Sequence, residues 1–221
     1  AGTDAVTCSG ASASLKLIGA EVSNATDLGV LVALCAVEIT GSTISGNRGG
    51  GIDITNSNFT IVNNFIVNNG QDGDSGSDRG GVFLSSTDGK TEVFEFNTLS
   101  GNGIDTGAIG GSALTCSSTN LKATSNIVVS GGQAGGGGII VGASCTSSYS
   151  LIEGVSVFPG TGNILGTPGF EDAGNGNYHL KTSPPSPCID KADPDATLTT
   201  DIDGDVRPQG MGRDMGADEA G

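Results

Sequence analysis

The residues of this chain best suited to chemistry are carboxylates. Asp72, Asp74 and Asp78 crowd the polar run Gln71-Asp72-Gly73-Asp74-Ser75-Gly76-Ser77-Asp78, and Asp201, Asp203 and Asp205 alternate in Asp201-Ile202-Asp203-Gly204-Asp205. Asp alternating with Gly lets a loop wrap oxygen ligands around a hard cation such as Ca²⁺. Neither run has the ordered Asn/Asp-Gly step and terminal Glu of an EF-hand loop, and solvated turn carboxylates account for both runs equally well. No cofactor is required, and calcium is the one the sequence could use. In an extended stretch Asp201, Asp203 and Asp205 would share one face, where Arg207, Arg213 or a cation would neutralise them. The single histidine, His179, reads as structural rather than as a general base.

Such groups need a scaffold, and the chain supplies one by repeating itself. Gly50-Gly51-Ile52-Asp53-Ile54, Gly80-Gly81-Val82-Phe83-Leu84, Gly110-Gly111-Ser112-Ala113-Leu114 and Gly137-Gly138-Ile139-Ile140-Val141 each run a glycine turn into a short strand. Ile52, Val82, Ser112 and Ile139 follow one another at steps of 30, 30 and 27 residues, and a looser copy, Gly29-Val30-Leu31-Val32, precedes them. Self-similarity at this period marks a solenoid whose units bury their apolar face only by stacking. Each copy is too short and too rich in β-formers for a helical repeat, so the units read as coils of an all-β parallel β-helix. A second row supports this. The apolar anchors Ile44, Ile66 and Leu99 are each followed three residues later by Asn47, Asn69 and Asn102, and Ile127 by Ser130. Asn tolerates left-handed backbone, and stacked in register its amides form a ladder.

One coil also separates the cysteines: Cys8 lies 27 residues before Cys35, and Cys116 lies 29 before Cys145. Strands roughly 4.8 Å apart are within reach of a disulfide, so two staples are expected, with buried free thiols as the alternative. Cys188 is left over. Disulfides imply an oxidising, extracytoplasmic setting. The 24 acidic and 9 basic residues leave a net charge of −15, which repels nucleic acid and anionic membranes. No apolar run is long enough to span a bilayer. The 221 residues include 39 glycines, 7 prolines and no tryptophan, without a collagen period. The chain begins at Ala1 without a visible signal peptide, as a mature chain or an excised domain does. Nothing before residue 5 looks like a cap, so an open β-edge there would be covered by preceding chain or invite self-association.

If Ile52 and Ile54 point inward, Asp53 points outward, stacked with Phe83, Ala113 and Ile140. A second sheet would show Thr40, Val62, Phe94 and Lys122 outside, beside Glu38, Thr60, Glu92 and Asn120. A hydrolase of this shape needs paired carboxylates at a defined separation. No two carboxylates stack in these rows, and no Lys or Arg stacks beside one. Arg48 and Arg79 align just before the glycine strands and read as solvated turn residues. The pairs Val62 with Phe94 and Phe83 with Ile140 form exterior apolar patches, which are either covered by loops or used for contact.

Coils are expected over residues 1–165. From 166 the periodicity stops, and residues 166–221 read as an irregular capping segment that packs on the coils and shields the last open edge. This segment carries Thr167-Pro168-Gly169-Phe170, Asn177-Tyr178-His179-Leu180, Ser183-Pro184-Pro185-Ser186-Pro187-Cys188-Ile189-Asp190, Asp201-Ile202-Asp203-Gly204-Asp205-Val206-Arg207-Pro208 and Asp214-Met215-Gly216-Ala217-Asp218-Glu219. It resembles the terminal segment of bacterial secreted and surface proteins with right-handed parallel β-helix repeats, of the pectate-lyase-like superfamily. Cys188 departs from that pattern, which has a small residue there. The resemblance implies a right-handed β-helix, here of about six coils, and an extracellular or cell-surface location. Superfamily members include lyases, epimerases and adhesins, so it leaves activity open. The expected role is a structural or adhesive module contacting polysaccharide or protein at a cell surface, and the alternative is a polysaccharide lyase.

Overall fold

The structure describes residues 2–70, 79–85, 89–103, 113–117, 121–129, 140–141, 145–153 and 159–221, with residues 140–141 defined by their strand pairing alone. In the computed structural model, three short strands make each coil. The first coil is β1 (Val6–Ser9), β2 (Ser14–Ile18) and β3 (Glu21–Ser23), and the second is β4 (Leu28–Ala33), β5 (Ala36–Thr40) and β6 (Thr43–Ser45). The third is β7 (Gly50–Thr55), β8 (Phe59–Val62) and β9 (Phe65–Val67), and the fourth is β10 (Val82–Ser85), β11 (Glu92–Glu95) and β12 (Thr98–Ser100). The fifth is β13 (Leu114–Cys116), β14 (Lys122–Thr124) and β15 (Ile127–Val128), and the sixth is β16 (Ile140–Val141), β17 (Thr146–Ser148) and β18 (Leu151–Ile152). A further strand, β19 (Ile164–Leu165), extends the third sheet to seven strands, while the first and second have six each. All three sheets are parallel. The chain is thus a right-handed parallel β-helix, wound in the sense that parallel crossovers adopt.

Stacking puts one residue from each coil into a row. The first sheet turns Val30, Ile52, Val82 and Leu114 inward, the second Ile39, Ile61, Phe94 and Ala123, and the third Ile44, Ile66, Leu99, Val128 and Ile152. All are buried in one continuous core. Leu114, not Ser112, is the residue in register with Val82, and Val128, not Ile127, with Leu99. Two disulfides, Cys8–Cys35 and Cys116–Cys145, tie neighbouring coils with Cα atoms 6.0 Å apart.

The Asn row is an internal amide ladder. Asn47 Nδ2 donates to Asn69 Oδ1 at 2.9 Å, and Asn69 Nδ2 donates to Asn102 Oδ1 at 3.0 Å. Each amide also caps a main-chain carbonyl one coil back, Val22, Ile44 and Ile66 in turn. The glycine row exists because of this ladder. A Cβ on Gly29 would meet Asn47 Nδ2 at 2.6 Å and the carbonyl of Gly51 at 2.8 Å, and Gly51 and Gly81 face Asn69 and Asn102 in the same way. Only a residue without a side chain fits between a stacked amide and the next coil's carbonyl. A second ladder runs through Asn64, Asn97 and Asn126, with bonds of 2.9 and 3.2 Å, and continues to Ser150 and Asn163.

The tail forms a hairpin of β20 (Phe170–Asp172) and β21 (Asn177–Leu180) joined by a 3₁₀ turn at Ala173–Asn175, then a looped segment to Gly221. Its described contacts correct the expectation of an end cap. The outward residues of the third sheet, Phe65, Val67, Ile127 and Leu151, are apolar and pack against Tyr178, Leu180, Met215 and Ala217. Gly216 N–H donates to Ser125 O at 2.8 Å, and Ala217 N–H donates to Thr98 Oγ1 at 3.0 Å. The tail therefore lies along the side of the stack, across the third to sixth coils. Leu165, in register with inward-facing Ile152, stays 45% exposed. The physical reason is area: a whole sheet face offers more apolar surface to bury than one coil's end.

Candidate functional site

The outward wall of the first sheet carries Asp53. Strand alternation turns it away from Ile52 and Ile54, and register places it between Leu31 and Phe83, with Thr115 beyond. Although it faces out, Asp53 is only 5% exposed. Arg79 Nε lies 2.9 Å from Asp53 Oδ2, and the Arg79 guanidinium sits 4.3 Å above the Phe83 ring centroid. This corrects the expectation that Arg79 is a solvated turn residue: it reaches a wall carboxylate from the turn, while the register row of Asp53 itself holds Leu31 and Phe83. Burial pushes the Asp53 carboxyl above its usual range, and Arg79 opposes that only in part. The three side chains hold one another: the carboxylate orients the guanidinium, which sits over the ring within cation–π range. Phe83 keeps its predicted outward row. Ile140 does not, because it pairs with Leu114 and so stands in the register row of Val82.

The second sheet holds a cleft of about 200 Å³. Its polar lining includes Lys16, Glu38, Asn58, Thr60 and Thr91. Lys16 and Glu38 face each other in register, with Nζ 2.5 Å from Oε2. A smaller hollow of about 100 Å³ adjoins it at Ala36 and Asn58 and reaches Lys90. The expected exterior pair of Val62 and Phe94 is corrected. Phe94 is fully buried and pairs with Ile61, while Val62 pairs with Glu95. A strand slip of one residue turns every side chain to the opposite face. The missed signal was the second ladder: Asn64 and Asn97 are 33 residues apart, as are Asn69 and Asn102, so Ile61 must meet Phe94. Among the described residues, no two carboxylates lie in register on neighbouring coils.

The tail carries the densest charge. Buried Arg207 donates to Glu219 at 3.1 Å and to the carbonyls of Asp214 and Gly216, and its guanidinium lies 5.0 Å from the Phe96 ring centroid. Asp201, Asp203 and Asp205 do not share a face. The stretch is a turn closed by a Thr200–Val206 bridge, with Gly204 at φ 90°. Asp201 is buried and spends its oxygens on the N–H groups of Asp203, Asp205 and Glu219. Asp205 is exposed, and Asp203 turns to His179. The expected calcium triad is therefore not assembled. Asp72, Asp74 and Asp78 lie outside the described residues. His179, Asp203 and Asp218 each bring one ligand atom within 4.8 Å of the others. Burial raises Cys188 to about 12, so its thiol is inert at neutral pH.

Residues 4–163 match the family described as the right-handed beta helix region. That covers well over half of the chain, which belongs to this family. No curated protein and no solved structure shows significant similarity to the chain. The two disulfides suit an oxidising, extracellular environment, and among the described residues no helix is long and apolar enough to cross a membrane.

Proposed function

We propose that this protein is a secreted or cell-surface β-helix module that binds a polysaccharide along its outer walls. One observation carries the reading: on the first sheet, a partly exposed arginine sits over the Phe83 ring and is held there by Asp53. A rigid cation on an aromatic platform presents fixed donors and an apolar face without the entropy cost of a free surface arginine. The cleft at Lys16 and Glu38 supports it. Its volume is below the roughly 300–1,000 Å³ of enclosed small-molecule sites, so it suits one ring of a longer chain lying across the coils. The lack of in-register carboxylate pairs among the described residues favours binding over hydrolysis. The alternative is a polysaccharide lyase, and a protein chain is the other kind of surface partner.

Electrophoresis through gels containing neutral or uronate polysaccharides tests the proposal. At least one polymer should retard the wild type, and Arg79→Ala should weaken that binding about tenfold, the equivalent of ~1.4 kcal/mol. Binding unchanged in Arg79→Ala and in Phe83→Ala would remove this wall from the function. Ultraviolet-absorbing unsaturated products from a uronate polymer would establish the lyase instead.

A further inference from the structure

We propose that His179, Asp203 and Asp218 bind a divalent transition cation of the zinc class, joining three separate segments of the tail. The argument begins with the imidazole. Its Nδ1 lies 2.6 Å from Asn177 Oδ1, and the backbone N–H of His179 donates to that same atom at 3.1 Å. A backbone N–H can only donate, so the shared atom is the amide oxygen, and ring Nδ1 must carry a hydrogen. Nε2 is then the nitrogen that faces the carboxylates. It points at Asp203 Oδ2, 2.8 Å away, with Asp218 Oδ1 at 4.0 Å.

A neutral imidazole in this pose would aim a lone pair at two carboxylates. That contact is repulsive unless a proton or a metal cation lies between them, and a proton on Nε2 would bond Asp203 and leave Asp218, 4.0 Å away, without a share in it. Four-coordinate zinc holds nitrogen and oxygen ligands at about 2.0–2.2 Å, which separates ligand atoms by about 3.4 Å. The observed 2.8 and 4.0 Å straddle that value. Asp203 is half exposed and free to adjust, whereas Asp218 is anchored, its other oxygen accepting the Leu180 N–H at 2.7 Å. The bond from Nδ1–H to Asn177 is the support that metal-bound imidazoles carry on their second nitrogen. A nitrogen with two oxygens suits a borderline cation, whereas Ca²⁺ takes six to eight oxygens. The remaining position would fall to water.

The ligands come from β21, from the 201–205 turn and from the 214–219 segment. The cation would thus cross-link the tail that covers the third sheet, independently of any polysaccharide site. The test is calorimetric titration of the chelator-treated chain with Zn²⁺ and Ca²⁺, with thermal unfolding alongside. One Zn²⁺ per chain, a raised Tm and no comparable calcium response are expected. Co²⁺ should give the visible spectrum of a four-coordinate site. His179→Gln and Asp203→Asn, with circular dichroism and disulfides matching wild type, should lose binding, and Asn177→Ala should weaken it about 10–100-fold. No stoichiometric zinc binding, equal zinc binding by His179→Gln, or equal affinity for Ca²⁺ would overturn the proposal, leaving His179 as an imidazolium between two carboxylates.

Discussion

Asn69 shows how much one side chain does in this fold. Its Nδ2 donates to the Ile44 carbonyl and to Asn102, and its Oδ1 accepts from the backbone and side-chain N–H groups of Asn47. All of these partners are buried between coils, so none can turn to water instead. Each orphaned buried group costs about 1–3 kcal/mol. Asn69→Ala should therefore lower stability by about 3 kcal/mol or more in urea denaturation. A loss below about 1 kcal/mol would mean that water replaces the amide and that the ladder is not a main source of stability.

At the scale of elements, the tail and the third sheet form one packed unit. Met215 is fully buried among Phe96, Ile127, Val129 and Leu151, whereas Leu165 at the end of the stack is half exposed. Met215→Ala should cost about 2–5 kcal/mol, as buried methionines do, and Leu165→Ala about 0.5 kcal/mol, as exposed sites do. Chemical denaturation of the two variants checks this. The reverse order would restore the tail to the end of the coils.

For the whole molecule, the telling quantity is how stability responds to pH. Burial is the leading cause that raises the carboxyls of Asp53, Glu95 and Glu153, and it takes Asp214 to about 6. In the unfolded chain such groups titrate near pH 4. Between about pH 4 and 6 the folded protein keeps protons that the unfolded chain has released, so stability falls as pH rises through that window. Relief of self-repulsion on acidification, from a net charge of −15, acts in the same direction. The Tm should therefore rise as pH is lowered from about 7 to about 5, and Asp214→Asn should flatten part of the slope. A Tm that falls on acidification through that range would contradict this.

The sequence alone determined the solenoid, the disulfide pairs and the first Asn ladder. Each is a one-dimensional regularity: stacked coils bring back the same residue types at similar spacings, and cysteines one coil apart end up side by side. The phase of each strand was harder to read. Phe94 lies on the face opposite to its expected one, and Ile140 rather than Ile139 takes the register position, because a single residue in a loop shifts the alternation; the second ladder sets the phase at Phe94. Tertiary structure decided the rest. Arg79 meets Asp53, His179 meets Asp203 and Asp218, and the tail covers the third sheet through contacts between residues distant in sequence. Such contacts carry no period. They depend on where loops cross the coils and on which outward apolar face remains to be buried, which local pattern does not encode.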